Sequence, residues 1–251
     1  MSREHLGLLI TFILGLFISA GALIAVSLKQ KNKIIDFSIG LALGVIGTLV
    51  VSDVIPEIIE NLGLKNIFYF IISACLGFGI LKILDHFIPD HDDDGKVPKK
   101  ELASNLQHIG IITSIALLLH NLIEGMTVYS IIINNLNLGI SLMLGIGFHN
   151  VPLGMIIGGA FHQGREKPAK SILAIFIVSI STFIGGLILF ICKVEKLSTF
   201  IVGLLLSITF GMLLYIIFIE LIPRTRHSKN KKMSNTGIAV GIIIQLIAIL
   251  I

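Results

Sequence analysis

Two short polar motifs interrupt long apolar stretches of this sequence: HNLIEG, which begins at His120, and HNVPLG, which begins at His149. His120 and Glu124 are four residues apart, so they would share one face of a helix. Imidazole and carboxylate ligands without thiolate suit Zn²⁺, Fe²⁺ or Mn²⁺. One buried His alone would more often be a packed, hydrogen-bonded polar residue. Two HN pairs and a Glu predict a metal site at His120, Glu124 and His149, if the two segments pack together.

Prolines mark a second pattern, because in three places a polar side chain stands three residues before a proline. These are Asp53 before Pro56, His149 before Pro152 and Glu220 before Pro223. A proline inside a helix leaves the carbonyl four residues earlier without its amide partner. Ordinary kinks have the same origin, but interrupted helices also line ion pathways in transporters.

The elements that must position these groups are membrane helices. The chain has 251 residues, of which 55% are hydrophobic and only 14% are charged, whereas soluble domains carry about 25% charged residues. Backbone groups in lipid must be satisfied within helices, so we expect an all-α bundle of about eight transmembrane helices, forming a single domain over residues 1–251. The predicted spans one to eight are 6–28, 34–60, 66–87, 105–131, 138–163, 170–192, 197–223 and 236–251.

Basic residues predict the orientation of these spans. With the N-terminus outside the cell membrane, 15 of the 19 Lys and Arg residues lie in or beside inner loops, as the positive-inside rule requires. Both termini are then extracytoplasmic. Spans two and seven run in opposite directions, as in an inverted repeat. Asp53 and Glu57 would serve an outer vestibule, and Glu220 an inner one.

Two further features bear on partners and packing. The loop 88–104 follows His86 and contains Asp90, His91 and three more Asp residues; it is either a solvated linker or a metal-collecting segment. The net charge of +4 lies in membrane loops and does not indicate nucleic-acid binding. The partners we expect are a divalent cation and the lipid bilayer, and a homodimer is compatible with the sequence. We expect spans four and five to approach closely at small residues, namely Gly125, Gly145, Gly147 and Gly154.

HNLIEG and HNVPLG resemble the paired motifs of the ZIP (Zrt-, Irt-like) family of divalent metal transporters. SDVIPE in span two and GMLLYIIFIELIP in span seven are also similar to family patterns. The resemblance covers essentially the whole chain. It implies that His120, Glu124 and His149 bind metal, and that Asn121 and Asn150 match ligands of a second metal position.

Two departures from the family pattern concern the charge of that site. The family usually has Glu where this chain has Leu153, and often another Glu near Thr182. Their absence argues against a two-metal site. One carboxylate does not neutralise a divalent ion in a low-dielectric site, so we expect weaker binding or water in the shell.

The function predicted from the sequence is uptake of zinc, or of iron or manganese, into the cytosol by alternating access, with no organic cofactor and no enzymatic activity. Two alternatives remain open at this point. One is a metal-binding or sensor relative that does not transport. The other is an intramembrane metal-dependent hydrolase, which would need an open ligand position and a general base.

Overall fold

The computed structural model describes residues 2–27, 32–87, 98–163, 168–194, 197–228 and 230–250. Within these ranges the chain is helical and contains no β-strand. The described part of the chain has eight helices that are long and apolar enough to cross a membrane, which confirms the predicted all-α bundle. The membrane-crossing stretches, which keep the names spans one to eight, are Arg3–Ser27, Asp36–Leu62, Leu64–Phe87, Gly110–Asn134, Met143–Phe161, Ala169–Ile191, Thr199–His227 and Lys231–Leu250.

Span four belongs to a helix that extends well beyond the apolar stretch. This helix runs from Pro98 to Asn134, so the last seven residues of the predicted loop 88–104 are helical but lie outside the membrane-crossing stretch Gly110–Asn134. Proline is favoured in the first helical turn, and the Lys, Glu, Leu and Ala residues that follow favour helix in water as well as in lipid. Hydropathy detects only the membrane part of such a helix. Asp90, His91 and the three Asp residues that follow lie outside the described residues, whereas His86 is exposed at the end of span three.

The helices of spans two and seven are each interrupted by a π-helical turn directly before a proline. The turns are Val50–Val54, ahead of Pro56, and Ile216–Leu221, ahead of Pro223. A π-turn accommodates a proline that cannot donate to the carbonyl one turn back. The two turns contain Asp53 and Glu220. By contrast, Pro152 of span five lies inside a continuous α-helix, Leu136–Gln163, so the three proline patterns are not equivalent.

The packing of the spans has an internal symmetry. Span two packs along span eight, and span three along span seven; span one packs along span five, and span four along span six. Exchanging spans one, two, three and four with spans six, seven, eight and five maps these pairs onto one another. This exchange is what an inverted repeat requires.

The bundle is apolar on its outside, and its mostly apolar interior also contains a set of buried polar residues. Large apolar side chains such as Leu23, Phe68 and Ile172 are more than half exposed, whereas His120, Asn121, Asn150 and other polar residues are buried. An apolar surface with polar groups kept to the interior is expected in lipid, where polar groups face the inside of the bundle.

Glycines allow close helix contacts, but not the contacts predicted. A Cβ at Gly125 would lie 1.9 Å from the Thr182 carbonyl oxygen of span six, and one at Gly154 would lie 2.0 Å from the Ile18 carbonyl oxygen of span one. Gly147 contacts Phe17 of span one, and Gly145 faces Ala248 of span eight. The prediction that these glycines join spans four and five is therefore wrong: they lie on faces that meet other helices.

Candidate metal centre

Three of the predicted ligands converge inside the bundle. His120 and Glu124 come from span four and His149 from span five, and one ligand atom from each lies within 4.8 Å of the other two. His149 Nε2 is 3.0 Å from Glu124 Oε1, and His120 Nε2 is 3.8 Å from the same oxygen. The two imidazole side chains are 7% exposed and the Glu124 side chain is 9% exposed. We call these three residues the central cluster.

His120 has an unsatisfied imidazole. Neither of its ring nitrogens has a hydrogen-bond partner among the described residues, although both are buried. Buried polar atoms of native proteins are nearly always paired, with ordered water or an ion where no protein group serves. The central cluster therefore offers a free nitrogen ligand beside a carboxylate that a second imidazole already contacts.

The two Asn residues that follow the histidines differ in their contacts. Asn150 donates from Nδ2 to Glu124 Oε2 at 3.4 Å, so it helps to orient the carboxylate. Its own Oδ1 and both amide atoms of Asn121 have no partner in the described ranges. Both side chains are fully buried. Asn150 thus places a neutral amide beside the central cluster and adds no charge to it.

The positions of the two missing family carboxylates are also buried. Leu153 and Thr182 are both 0% exposed, and Thr182 contacts span four through its backbone at Gly125. The Thr182 hydroxyl has no hydrogen-bond partner within the described part of the chain. An acid at either position would lie in the bundle interior, so the substitutions lower the negative charge there.

On the predicted outer side, Asp53 receives a hydrogen bond from span eight. Gln245 Nε2 donates to Asp53 Oδ2 at 3.1 Å, and Asp53 lies within electrostatic range of both Glu124 and His149. Glu57, one helical turn beyond Asp53, is partly exposed. Gln245 was not predicted as a site residue. It is the sole polar residue between Gly237 and the C-terminus, and such a residue inside an apolar span is a signal of function.

On the predicted inner side, Glu220 is buried and forms an ion pair. Arg224 Nη2 is 3.1 Å from Glu220 Oε2, and Arg224 Nε is 3.4 Å from the same oxygen. The two residues are four apart on one helix face. Their pairing means that Glu220 carries its own counter-charge, whereas the described hydrogen-bond partner of Asp53 is the neutral Gln245.

Comparisons with known proteins agree with these features. The profile of the family described as ZIP zinc transporter matches residues 89–249. A zinc transporter ZupT from Clostridium perfringens is 24% identical, and the match covers 100% of this chain and 97% of that protein. ZupT proteins from Enterobacter sp. strain 638 and Salmonella newport are each 22% identical. These matches cover 93% and 97% of this chain, and 92% and 96% of the respective relatives.

Proposed function

The chain belongs to the ZIP zinc transporter family, and we propose that it carries Zn²⁺ across the cell membrane into the cytosol, with the central cluster as its binding site. The observation that carries this proposal is the convergence of His120, Glu124 and His149 within 4.8 Å, deep among helices that are themselves membrane spans. Ionisable residues at such depth are costly and mark ion pathways in transporters.

The donor set favours zinc and suits transport. Two neutral imidazoles and one carboxylate are a common zinc donor set, and they leave the bound ion with a net charge of +1. That residual charge is unfavourable in a medium of low dielectric constant, so water or the Asn150 carbonyl oxygen would complete the shell. Binding of this kind is selective but reversible, which a transporter needs. Fe²⁺ and Mn²⁺ accept the same donors and are the competing substrates.

The helix packing suggests how the site could be exposed to each side in turn. Spans one, four, five and six pack mutually and carry the central cluster, while span two packs along span eight and span three along span seven. In the proposed alternating-access cycle, the first group moves against the others. The ion arrives past Asp53 and Glu57 and leaves past Glu220. In the orientation that the basic residues predict, both termini are extracytoplasmic.

The test is zinc uptake by the purified full-length chain in proteoliposomes. We expect His120→Ala and Glu124→Ala to reduce uptake at least tenfold. His5→Ala is the matched control, because His5 is exposed at the N-terminal end of span one. Uptake that is unaffected by both central substitutions would refute the proposal. Zinc binding without flux would identify a metal-binding relative that does not transport, and hydrolysis of a peptide or lipid would identify an enzyme.

A further inference from the structure

A cavity of about 420 Å³ lies where the ends of spans one, four and six meet. Its polar lining residues are Glu4, Tyr129 and Lys193; the others are apolar, and none belongs to the central cluster. We call it the end cavity. We propose that the end cavity binds the phosphoethanolamine headgroup of a membrane lipid. This binding requires no metal ion, so it goes beyond the proposed function and can be tested without it.

The end cavity lies at the depth of the lipid headgroups. Glu4 is in the first turn of span one, Tyr129 is in the last two turns of span four, and Lys193 follows the end of span six by two residues. The ends of membrane helices reach the headgroup region, where Trp and Tyr are the usual anchors. This chain has no Trp and three Tyr. Lipid headgroups are therefore the small polar groups that reach the end cavity most readily.

Tyr129 supplies a buried hydroxyl to the end cavity. The residue is 2% exposed, and glycines of two other spans fix its ring. A Cβ at Gly7 would lie 2.9 Å from Tyr129 Cδ2, and one at Gly186 would lie 3.4 Å from Tyr129 Cβ. The hydroxyl makes no hydrogen bond to another described residue, whereas buried Tyr hydroxyls usually have a partner. The hydroxyl is thus available to a ligand in the end cavity.

Glu4 and Lys193 bring opposite charges to the end cavity. Both side chains are exposed, and neither forms an ion pair with another described residue. The neighbouring Arg3 donates from Nη1 to the Ile133 carbonyl oxygen at 3.2 Å, which ties the start of span one to the end of span four. This contact holds Glu4 over the end cavity, within electrostatic range of Tyr129. A ligand with one cationic and one anionic end would pair with both charges.

Lys193 has a backbone conformation that favours glycine, with φ at 52°. Its amide donates to the Phe190 carbonyl oxygen at 3.2 Å. The next amide, that of Val194, donates to the Leu189 carbonyl oxygen at 3.0 Å. These are the two hydrogen bonds of a Schellman cap, in which glycine is the usual left-handed residue. The cap therefore does not explain a lysine here, and what the lysine adds is an ammonium group on the lining of the end cavity.

Phosphoethanolamine matches these groups. Its primary ammonium can donate charge-assisted hydrogen bonds to the Glu4 carboxylate, while its phosphate accepts from the Lys193 ammonium and the Tyr129 hydroxyl. The volume of the end cavity falls within the range of about 300 to 1,000 Å³ that is usual for small-molecule sites. A choline headgroup has no N–H to donate, and a glycerol headgroup has no cation for the carboxylate. The end cavity should therefore select phosphatidylethanolamine over phosphatidylcholine and phosphatidylglycerol.

The test is native mass spectrometry of the purified, delipidated full-length chain, titrated with these three lipids carrying identical acyl chains. We expect phosphatidylethanolamine to bind at least fivefold more tightly than the other two. Glu4→Gln should remove this preference, whereas Lys193→Gly and Tyr129→Phe should weaken binding of both zwitterionic lipids several-fold. Glu60→Gln and Lys65→Gln are the matched controls, because they remove exposed charges from spans two and three on the same predicted side of the membrane, and they should leave binding unchanged.

The variants are chosen so that a loss of binding is not a loss of fold. Lys193→Gly relieves the left-handed backbone, so its Tm should be unchanged or higher while binding falls. Equal binding of the three lipids, tighter binding of phosphatidylglycerol, or a preference that survives Glu4→Gln would overturn the inference. Free phosphoethanolamine should displace the lipid only at millimolar concentration; binding as tight as that of the lipid would contradict a lipid occupant. The outcome of the zinc uptake assay does not enter any of these results.

Discussion

The two proline-interrupted spans, two and seven, use one backbone device with different charges. Each has a π-turn, an acid three residues before a proline, and a further charged residue four positions after that acid. In span two the acid is Asp53, which a neutral Gln245 contacts, and the following residue is Glu57. In span seven the acid is Glu220, and the following residue is Arg224, which forms an ion pair with it.

This difference shows that a repeated backbone does not impose a repeated function. The outer acids have no cationic partner in their described contacts, so they attract a cation. Glu220 has its counter-charge within its own helix, so in the proposed direction of uptake a departing ion would compete with Arg224 for it. We therefore propose that side-chain charge sets the direction of transport, because the backbones of spans two and seven correspond.

The largest expected effect comes from the central cluster, which both halves share. Glu124→Gln should lower zinc affinity and uptake by about 100-fold. Mutation of residues that only support the metal ligands already lowers metal affinity or activity by about 10- to 100-fold. The measurement is zinc uptake in proteoliposomes as a function of concentration, with His5→Ala as the control. Near-normal uptake by the Glu124→Gln variant would show that the transported ion does not bind at the central cluster, and it would contradict the account.

A second carboxylate beside the central cluster should raise the affinity of that cluster for zinc. Leu153→Glu places an acid at a fully buried position, one helical turn from His149. We expect zinc affinity to rise about tenfold, or about 1.4 kcal/mol, and turnover to fall because release becomes harder. Leu153→Gln has a similar shape without the charge and should not tighten binding. Equal affinity for the two variants would contradict the electrostatic reasoning.

Removal of the Asp53 charge should make span two resemble span seven, in which Arg224 already offsets the charge of Glu220. Asp53→Asn keeps the size of the side chain and loses its charge, so we expect the KM for uptake to rise about tenfold through weaker attraction of the ion. The effect should shrink as salt concentration increases, because screening weakens long-range attraction. Glu60→Gln should change the KM less than twofold. A similar effect of both substitutions would indicate general surface charge and no dedicated outer route.

Removal of the inner counter-charge should produce the smallest effect. Arg224→Gln removes the cationic side chain that pairs with Glu220, and a partly exposed ion pair of this kind contributes about 1 kcal/mol or less. We expect zinc on the inner side to inhibit uptake about threefold more strongly, because the loss of the Arg224 charge makes the surroundings of Glu220 more negative. Arg224→Lys retains the charge and should behave like the unaltered chain. Identical inhibition for Arg224→Gln and Arg224→Lys would contradict the role given to the inner pair.

The sequence predicts the parts of this molecule that depend on local pattern. Long apolar runs locate the eight spans, and the i, i+4 spacing of His120 and Glu124 places both on one face. The ion pair of Arg224 with Glu220 has the same spacing and could have been predicted in the same way. The extension of the helix of span four back to Pro98 could not be predicted from hydropathy, because that stretch is polar and lies outside the apolar span.

Contacts between distant helices were beyond sequence reasoning. Gln245 and Asp53 are 192 positions apart, and only the packing of span eight on span two brings them together. Gly125 and Gly154 were recognised as sites of close approach, but their partners, Thr182 and Ile18, depend on which helices pack at those faces. Small residues predict that a close contact exists and do not identify the neighbour.

The central claim is that His120, His149 and Glu124 bind the transported ion together. X-ray absorption at the zinc edge of the purified, zinc-loaded chain tests it most directly. We predict two imidazole nitrogens at about 2.0 Å with oxygen in the remaining positions, and one imidazole fewer in His120→Ala. A spectrum without imidazole scattering, or with sulfur from the exposed Cys75 or Cys192, would contradict the account.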